Sequence, residues 1–200
     1  MSNSYRTQKE SIAAERLIER DEAGKPRLPR VIERAATPGD THPIPKRVLR
    51  RVLTEIPIEY VYGLSRIEMR ARQEPGIGRP FGCYVHSERA IILYSLPPVW
   101  HFDRLADDFR QSLERFHARI VPSSPGFIIM WPEPGLLALW FYSYVFTHEL
   151  GHHFAEQYKA KNGVMPSRSV SERSADLHAR RLTDLLFTSL GGDPKKLGPP

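Results

Sequence analysis

The stretch Phe146-Thr147-His148-Glu149-Leu150-Gly151-His152-His153-Phe154 decides the fold of this 200-residue chain. It contains the pattern His-Glu-x-x-His at the end of a long apolar run. An α-helix has 3.6 residues per turn, so His148 and His152 lie one above the other on one face. Two imidazoles placed in this way can hold one Zn²⁺, with Glu149 beside the metal as a general base. The motif therefore predicts a zinc-dependent peptidase.

The motif helix is predicted to cover Gly135–Lys161, and its first half is apolar on nearly every side, which indicates central burial. Its uninterrupted apolar part, Leu136–Phe146, has 11 residues and is too short to span a bilayer. The N-terminal residues are polar and contain no apolar signal core. We therefore expect no membrane contact and a cytoplasmic location.

Gly151 lies inside the predicted helix, where glycine costs about 1 kcal/mol relative to alanine. This cost indicates a packing reason, because the absence of a side chain lets another backbone approach the helix near the metal. We expect that backbone to belong to the sheet.

A catalytic zinc usually has three protein ligands and one open position for water, and the motif supplies two of the three. The last predicted helix, about Val170–Leu190, contains Glu172 and Asp176, which are four residues apart and share a face. This spacing suits two roles: Glu172 binds the metal, and Asp176 accepts a hydrogen bond from a ligand imidazole, which we expect to be that of His148.

Other assignments compete with these. Ser169-x-x-Glu172 also fits a capping box, in which Glu172 has no metal role. Asp176 and His178 are the rival third ligands, and His178 is also a candidate hydrogen-bond donor to the oxyanion at the mouth of the site. His153 points about 100° away from His152 and is predicted to be a core or supporting histidine.

His-Glu-Leu-Gly-His, followed about twenty residues later by Glu-x-x-Ala-Asp, resembles the gluzincin branch of zinc metallopeptidases. Within this branch the chain is most similar to the compact ImmA/IrrE-type and minigluzincin-like proteins. The resemblance covers roughly residues 80–190 in the order of the elements. It implies a zincin-like fold in which a small antiparallel sheet precedes the motif helix. It also implies His148, His152 and Glu172 as ligands, Glu149 as the base and Asp176 as a supporting residue.

The remaining pattern predicts an α+β fold with a small, mainly antiparallel sheet packed on the motif helix and the ligand-bearing helix that follows. Alternation over Ser65–Arg72 predicts a half-exposed antiparallel strand, and Phe81–His86 and Glu88–Ser95 predict a hairpin. Phe127–Trp131 predicts another strand. Phe102–Ile120 has apolar residues at spacings of three and four and predicts a long helix, which is a departure from the gluzincin pattern.

Domain organisation follows from the eighteen prolines, which cluster away from the predicted helices. Residues 1–45 are predicted to form a loosely ordered arm with one short helix over Glu10–Glu22. Residues 46–192 form the metallopeptidase domain, and residues 193–200 form a disordered tail. The single cysteine, Cys83, excludes an internal disulfide and a cysteine-rich zinc site.

The net charge of +6 arises mostly in residues 1–80, which contain 16 Lys and Arg against 11 Asp and Glu. The surplus favours a weak nucleic-acid contact through the basic N-terminal part. Its mixture with acidic residues favours a solvated surface instead. A protein or peptide substrate, lying along a sheet edge at Ala90–Ser95 or Phe81–His86, is the expected partner. A regulatory or toxin-like module with a zincin-like domain is the remaining alternative.

Overall fold

The structure, a computed structural model, describes residues 28–72, 80–160 and 168–189. The helix expected over Glu10–Glu22 and the tail expected over Asp193–Pro200 lie outside these ranges. The described residues form an α+β fold with two small sheets. The strands are β1 (Arg30–Glu33), β2 (Arg66–Arg70), β3 (Gly82–Val85), β4 (Ala90–Tyr94), β5 (Val99–Phe102), β6 (Arg119–Pro122) and β7 (Phe127–Met130).

The described helices alternate with these strands and then dominate the C-terminal half. They are α1 (Lys46–Glu55), α2 (Ile58–Val61), α3 (Asp107–Arg115), α4 (Pro134–Trp140), a π-helical segment (Phe141–Phe146), α5 (Thr147–Ala160) and α6 (Arg168–Ser189). Within these described helices, none is long and apolar enough to cross a membrane.

The larger sheet has the strand order β1-β2-β4-β3. β2 pairs in parallel with both β1 and β4, whereas β3 pairs antiparallel with β4. The prediction of a mainly antiparallel sheet is therefore wrong for this sheet, in which only the hairpin is antiparallel. β1 also shows that residues 28–45 belong to the domain and not to a loose arm, since Val31 and Ile44 are buried in the core.

β2 is a central strand and not the half-exposed one that its alternation predicts. Glu68, placed on the solvent side by the pattern, is 5% exposed because Arg34, Arg66 and Arg70 converge on its carboxylate. The hydrogen bond from Arg70, followed by those from Arg34 and Arg66, lowers the pKa of Glu68 to about 2. A fully paired carboxylate can occupy a buried position that an unpaired one cannot.

The smaller sheet, ordered β5-β7-β6, replaces both ends of the helix predicted over Phe102–Ile120. Phe102 ends β5, Ile120 lies in β6, and only Asp107–Arg115 is helical. His117 has a left-handed φ of 59°, which ends the helix and turns the chain back into β6. Apolar residues of the two short strands fall at the three- and four-residue spacing of a helix. The prediction of a helix over Phe102–Ile120 is therefore wrong at both ends.

The long motif helix is not regular. The Thr147 amide bonds the carbonyl of Tyr142 instead of that of Ser143, which gives the π-helical segment before α5. The carbonyl of Ser143 is consequently left free for the Thr147 hydroxyl, at 2.8 Å, and for the Thr183 hydroxyl of α6, at 3.4 Å. The irregular turn thus ties the motif helix to the helix that follows it.

At Gly151 the backbones of α5 and α6 come into close contact. A Cβ atom at Gly151 would lie 2.5 Å from the carbonyl oxygen of Ala175 and 2.8 Å from its Cα. The predicted backbone neighbour of Gly151 therefore exists, but it belongs to α6 and not to the sheet. Ala175 is fully buried at this crossing, and Glu172 and Asp176 lie close to it on α6, three residues before and one residue after it.

We predict that Gly151→Ala destabilises the protein by about 1–3 kcal/mol, the usual cost of overpacking a core. In an unobstructed helix the same change would stabilise by about 1 kcal/mol, so the sign of the effect reports the crossing. The free energy of unfolding from urea titration measures it. Leu177→Ala, at an exposed position of α6, is the control. A stability equal to or above that of the wild type would contradict the close crossing.

Candidate metal centre

Three side-chain atoms from α5 and α6 converge on one point. The Nε2 atoms of His148 and His152 lie 3.1 Å apart. The Oε2 atom of Glu172 lies 3.3 Å from the first and 3.6 Å from the second. Among the described residues this is the one group of His, Cys, Asp or Glu side chains arranged to hold a metal ion. The structure thus brings together the three ligands that the sequence predicts, in an arrangement compatible with a metal site.

The other nitrogen of each imidazole has its own partner on α6. His148 Nδ1 lies 2.9 Å from Asp176 Oδ1, and His152 Nδ1 lies 3.2 Å from Ser171 Oγ. If each Nδ1 carries the proton and donates it, both Nε2 lone pairs face the centre, as metal ligation requires. The predicted contact between Asp176 and His148 is present. Ser171 was missed, and its place next to Glu172 was the available signal.

The protonation state of His152 also favours metal binding. Burial, followed by the neighbouring His148, lowers the pKa of His152 and so favours its neutral form. Neutral imidazole is the form that binds a metal. Glu172 is more open, with a side chain 46% exposed, so one side of the centre faces solvent.

Glu149 lies on the inner side of α5 and is 9% exposed. Burial raises the pKa of Glu149 to about 7, against the lowering effects of His148 and of a hydrogen bond from the Tyr84 backbone. A carboxyl group with a pKa near neutrality can both take up and release a proton at physiological pH. The charges of His148 and Glu172 both act on the Glu149 carboxyl, which indicates that it lies near the converging atoms.

His153 fixes β3 against the back of α5. It is fully buried, its Nε2 lies 2.8 Å from the carbonyl oxygen of Tyr62, and its Nδ1 lies 3.1 Å from the Tyr84 hydroxyl. Because a carbonyl only accepts, Nε2 carries a proton and donates it to the Tyr62 carbonyl. The prediction of a core or supporting role for His153 agrees with these contacts. Through Tyr84, His153 also steadies the backbone amide that faces Glu149.

The structure gives no support to the alternative roles of His178 and Glu172. The His178 ring lies 4.4 Å from the Phe154 ring, and its Nδ1 lies 3.3 Å from the Tyr60 hydroxyl; neither partner belongs to the group of converging residues. These contacts give no support to a role as third ligand or oxyanion donor. Ser169 is itself helical, within α6, so it is not an N-cap residue and Glu172 is not part of a capping box with it.

Comparison with known protein families, with curated proteins and with solved structures finds no match for this chain. The assignment of the centre therefore depends on its own geometry.

Titration of Glu149 should be visible in the stability of the metal-free protein. Its carboxyl pKa rises from 4.5 to about 7 on folding. The free energy of unfolding of the wild type is therefore highest below pH 4.5 and falls as the pH rises through 7. That shift corresponds to about 3 kcal/mol. We predict that, in the presence of a chelator, the stability of Glu149→Gln relative to the wild type increases by about 3 kcal/mol between pH 4 and pH 8. Parallel stability curves from urea titration would contradict the buried position of Glu149.

Metal affinity should depend on the contact between Asp176 and His148. We predict that Asp176→Asn weakens binding of Zn²⁺ or Co²⁺ by about 10–100-fold, because the amide orients and polarises the imidazole less well. Isothermal titration calorimetry measures the change. Leu177→Ala, the next residue on α6, should bind like the wild type. Equal affinities for all three proteins would show that Asp176 does not support a ligand.

Proposed function

We propose that the protein is a zinc metallopeptidase of zincin-like architecture, which hydrolyses peptide bonds with a zinc-activated water and Glu149 as the general base. The observation that carries the proposal is the triangle of His148, His152 and Glu172 atoms, with sides of 3.1, 3.3 and 3.6 Å. Ligands about 2.0 Å from a tetrahedral zinc lie about 3.3 Å from one another. The donor set of two imidazoles and one carboxylate also suits catalytic zinc.

When bound, zinc would lower the pKa of a coordinated water and polarise the scissile carbonyl. Glu149 is suited to accept the water proton and pass it to the leaving amine, because it is a buried carboxyl on which the neighbouring His148 and Glu172 both act. Asp176 and Ser171 hold the two imidazoles in their binding orientation. Three protein ligands and an adjacent buried carboxyl favour catalysis over a purely structural zinc, which usually has four protein ligands.

The sheet offers a place for an extended peptide. Of the two candidate strands, β4 is enclosed between β2 and β3, whereas β3 has no strand on its outer side within the described residues. The Tyr94 amide bonds the Phe81 carbonyl, and antiparallel pairs alternate, so Gly82 and Tyr84 direct their backbone groups outward. The Tyr84 amide on this edge already bonds Glu149, so a substrate added here would lie beside Glu149 and compete with it for that amide.

The nucleic-acid alternative gains no comparable support. The arginines on β2 and after β1 are engaged with Glu68, so their clustering serves the fold. Binding through the basic N-terminal part stays a prediction, which salt-dependent DNA binding would test.

The proposed mechanism predicts that Glu149→Gln binds zinc normally but loses peptidase activity by at least about 100-fold, the typical contribution of a general base. Zinc content and cleavage of a fluorogenic peptide library measure the two properties on one sample. Leu177→Ala again serves as the control and should retain both. Wild-type rates of cleavage by Glu149→Gln would contradict the proposed role of Glu149.

A further inference from the structure

Tyr144 presents an unusual surface next to the candidate centre. It lies on the π-helical segment, four residues before His148. Most aromatic residues of this helix are buried, but Tyr144 is 39% exposed. A large ring that remains partly exposed beside a site of chemistry is positioned to contact whatever enters the site.

The ring is held rigidly from behind. It stacks on Trp140 with a centroid distance of 5.3 Å and an interplanar angle of 18°, and it lies 6.1 Å from the ring of Phe109. Trp140 is fully buried, and its Nε1 donates to the hydroxyl of Ser112 on α3. The Tyr144 ring therefore cannot fold back into the core, and its free surface is a fixed feature of the molecule.

Two carboxylates lie on elements that adjoin this ring. Asp108 immediately precedes Phe109, which contacts Tyr144, and Asp176 accepts a hydrogen bond from His148, four residues after Tyr144. Burial, followed by the charges of Asp108 and Asp176, raises the pKa of Tyr144. Both aspartates are exposed, so a ligand can reach them without displacing the core.

We infer that Tyr144, with Asp108 and Asp176, forms a subsite that binds a cationic side chain, lysine or arginine, of the peptide substrate. The inference rests on the proposed peptidase function and adds a substrate class to it. A cation is attracted to the face of an aromatic ring and to the neighbouring carboxylates together. An apolar side chain would use the ring but would desolvate the carboxylates without compensation.

Cleavage of matched peptides by the zinc-loaded full chain tests the inference. The peptides differ at one position on either side of the scissile bond, which holds arginine, lysine, citrulline, leucine or phenylalanine. Citrulline has nearly the shape of arginine but no charge, so it separates charge from size. The wild type should prefer arginine or lysine to citrulline by about tenfold in kcat/KM, the scale of one cation–aromatic contact.

Three variants locate the preference. Tyr144→Leu should remove most of it, Asp108→Asn should reduce it, and Tyr144→Phe should keep it, because the ring face is retained. The preference is the ratio of kcat/KM for the arginine peptide to that for the citrulline peptide within one variant, so a change in the overall rate does not affect it. Zinc content and thermal unfolding of each variant verify that the centre and the fold are intact. Leu177→Ala should match the wild type with every peptide.

The outcomes separate the two claims. Cleavage that is lost in Glu149→Gln, but that favours leucine or phenylalanine or ignores charge, overturns the cationic subsite and leaves the peptidase proposal standing. A preference for arginine that survives in Tyr144→Leu overturns the role of Tyr144. Absence of cleavage of any peptide by the zinc-loaded wild type overturns the peptidase proposal and the subsite with it.

Discussion

The close backbone contact between Gly151 and Ala175 is the constraint on which the rest of the site depends. A Cβ atom at Gly151 would lie 2.5 Å from the Ala175 carbonyl oxygen, so the two helices reach this distance only because residue 151 is glycine. Glu172 and Asp176 flank Ala175 on α6 and therefore face the two histidines of α5. The helix packing that completes the core thus also assembles the three-ligand arrangement.

Two further contacts keep this arrangement in register. The π-helical segment frees the Ser143 carbonyl, which accepts hydrogen bonds from Thr147 and from Thr183 on α6. On the other side of α5, buried His153 binds the Tyr84 hydroxyl and so fixes β3 beside Glu149. The motif helix is therefore restrained by the ligand helix on one side and by the edge strand of the sheet on the other. A centre held from two sides needs little reorganisation to bind its metal.

Local chemistry predicted the site better than it predicted the sheet. The i, i+4 spacing of a helix is rigid, so the pairing of His148 with His152 and of Glu172 with Asp176 could be read from the sequence. Strand order and direction depend on distant partners, so the parallel pairing of β2 and the burial of Glu68 could not. Gly151 predicted a close backbone contact but not which element makes it, because glycine permits any backbone to come near. The irregular turn at Ser143 left no local sequence trace.

The central claim, one zinc held by two imidazoles and a carboxylate, is tested most directly by the X-ray absorption spectrum of the zinc-loaded wild type. We predict one zinc per chain, with only nitrogen and oxygen ligands at about 2.0–2.1 Å and the multiple-scattering signature of two imidazoles. Glu172→Ala should reduce the number of protein ligands or lose the metal. A sulfur ligand at about 2.3 Å, which would implicate Cys83, or a spectrum without imidazole, would contradict the account.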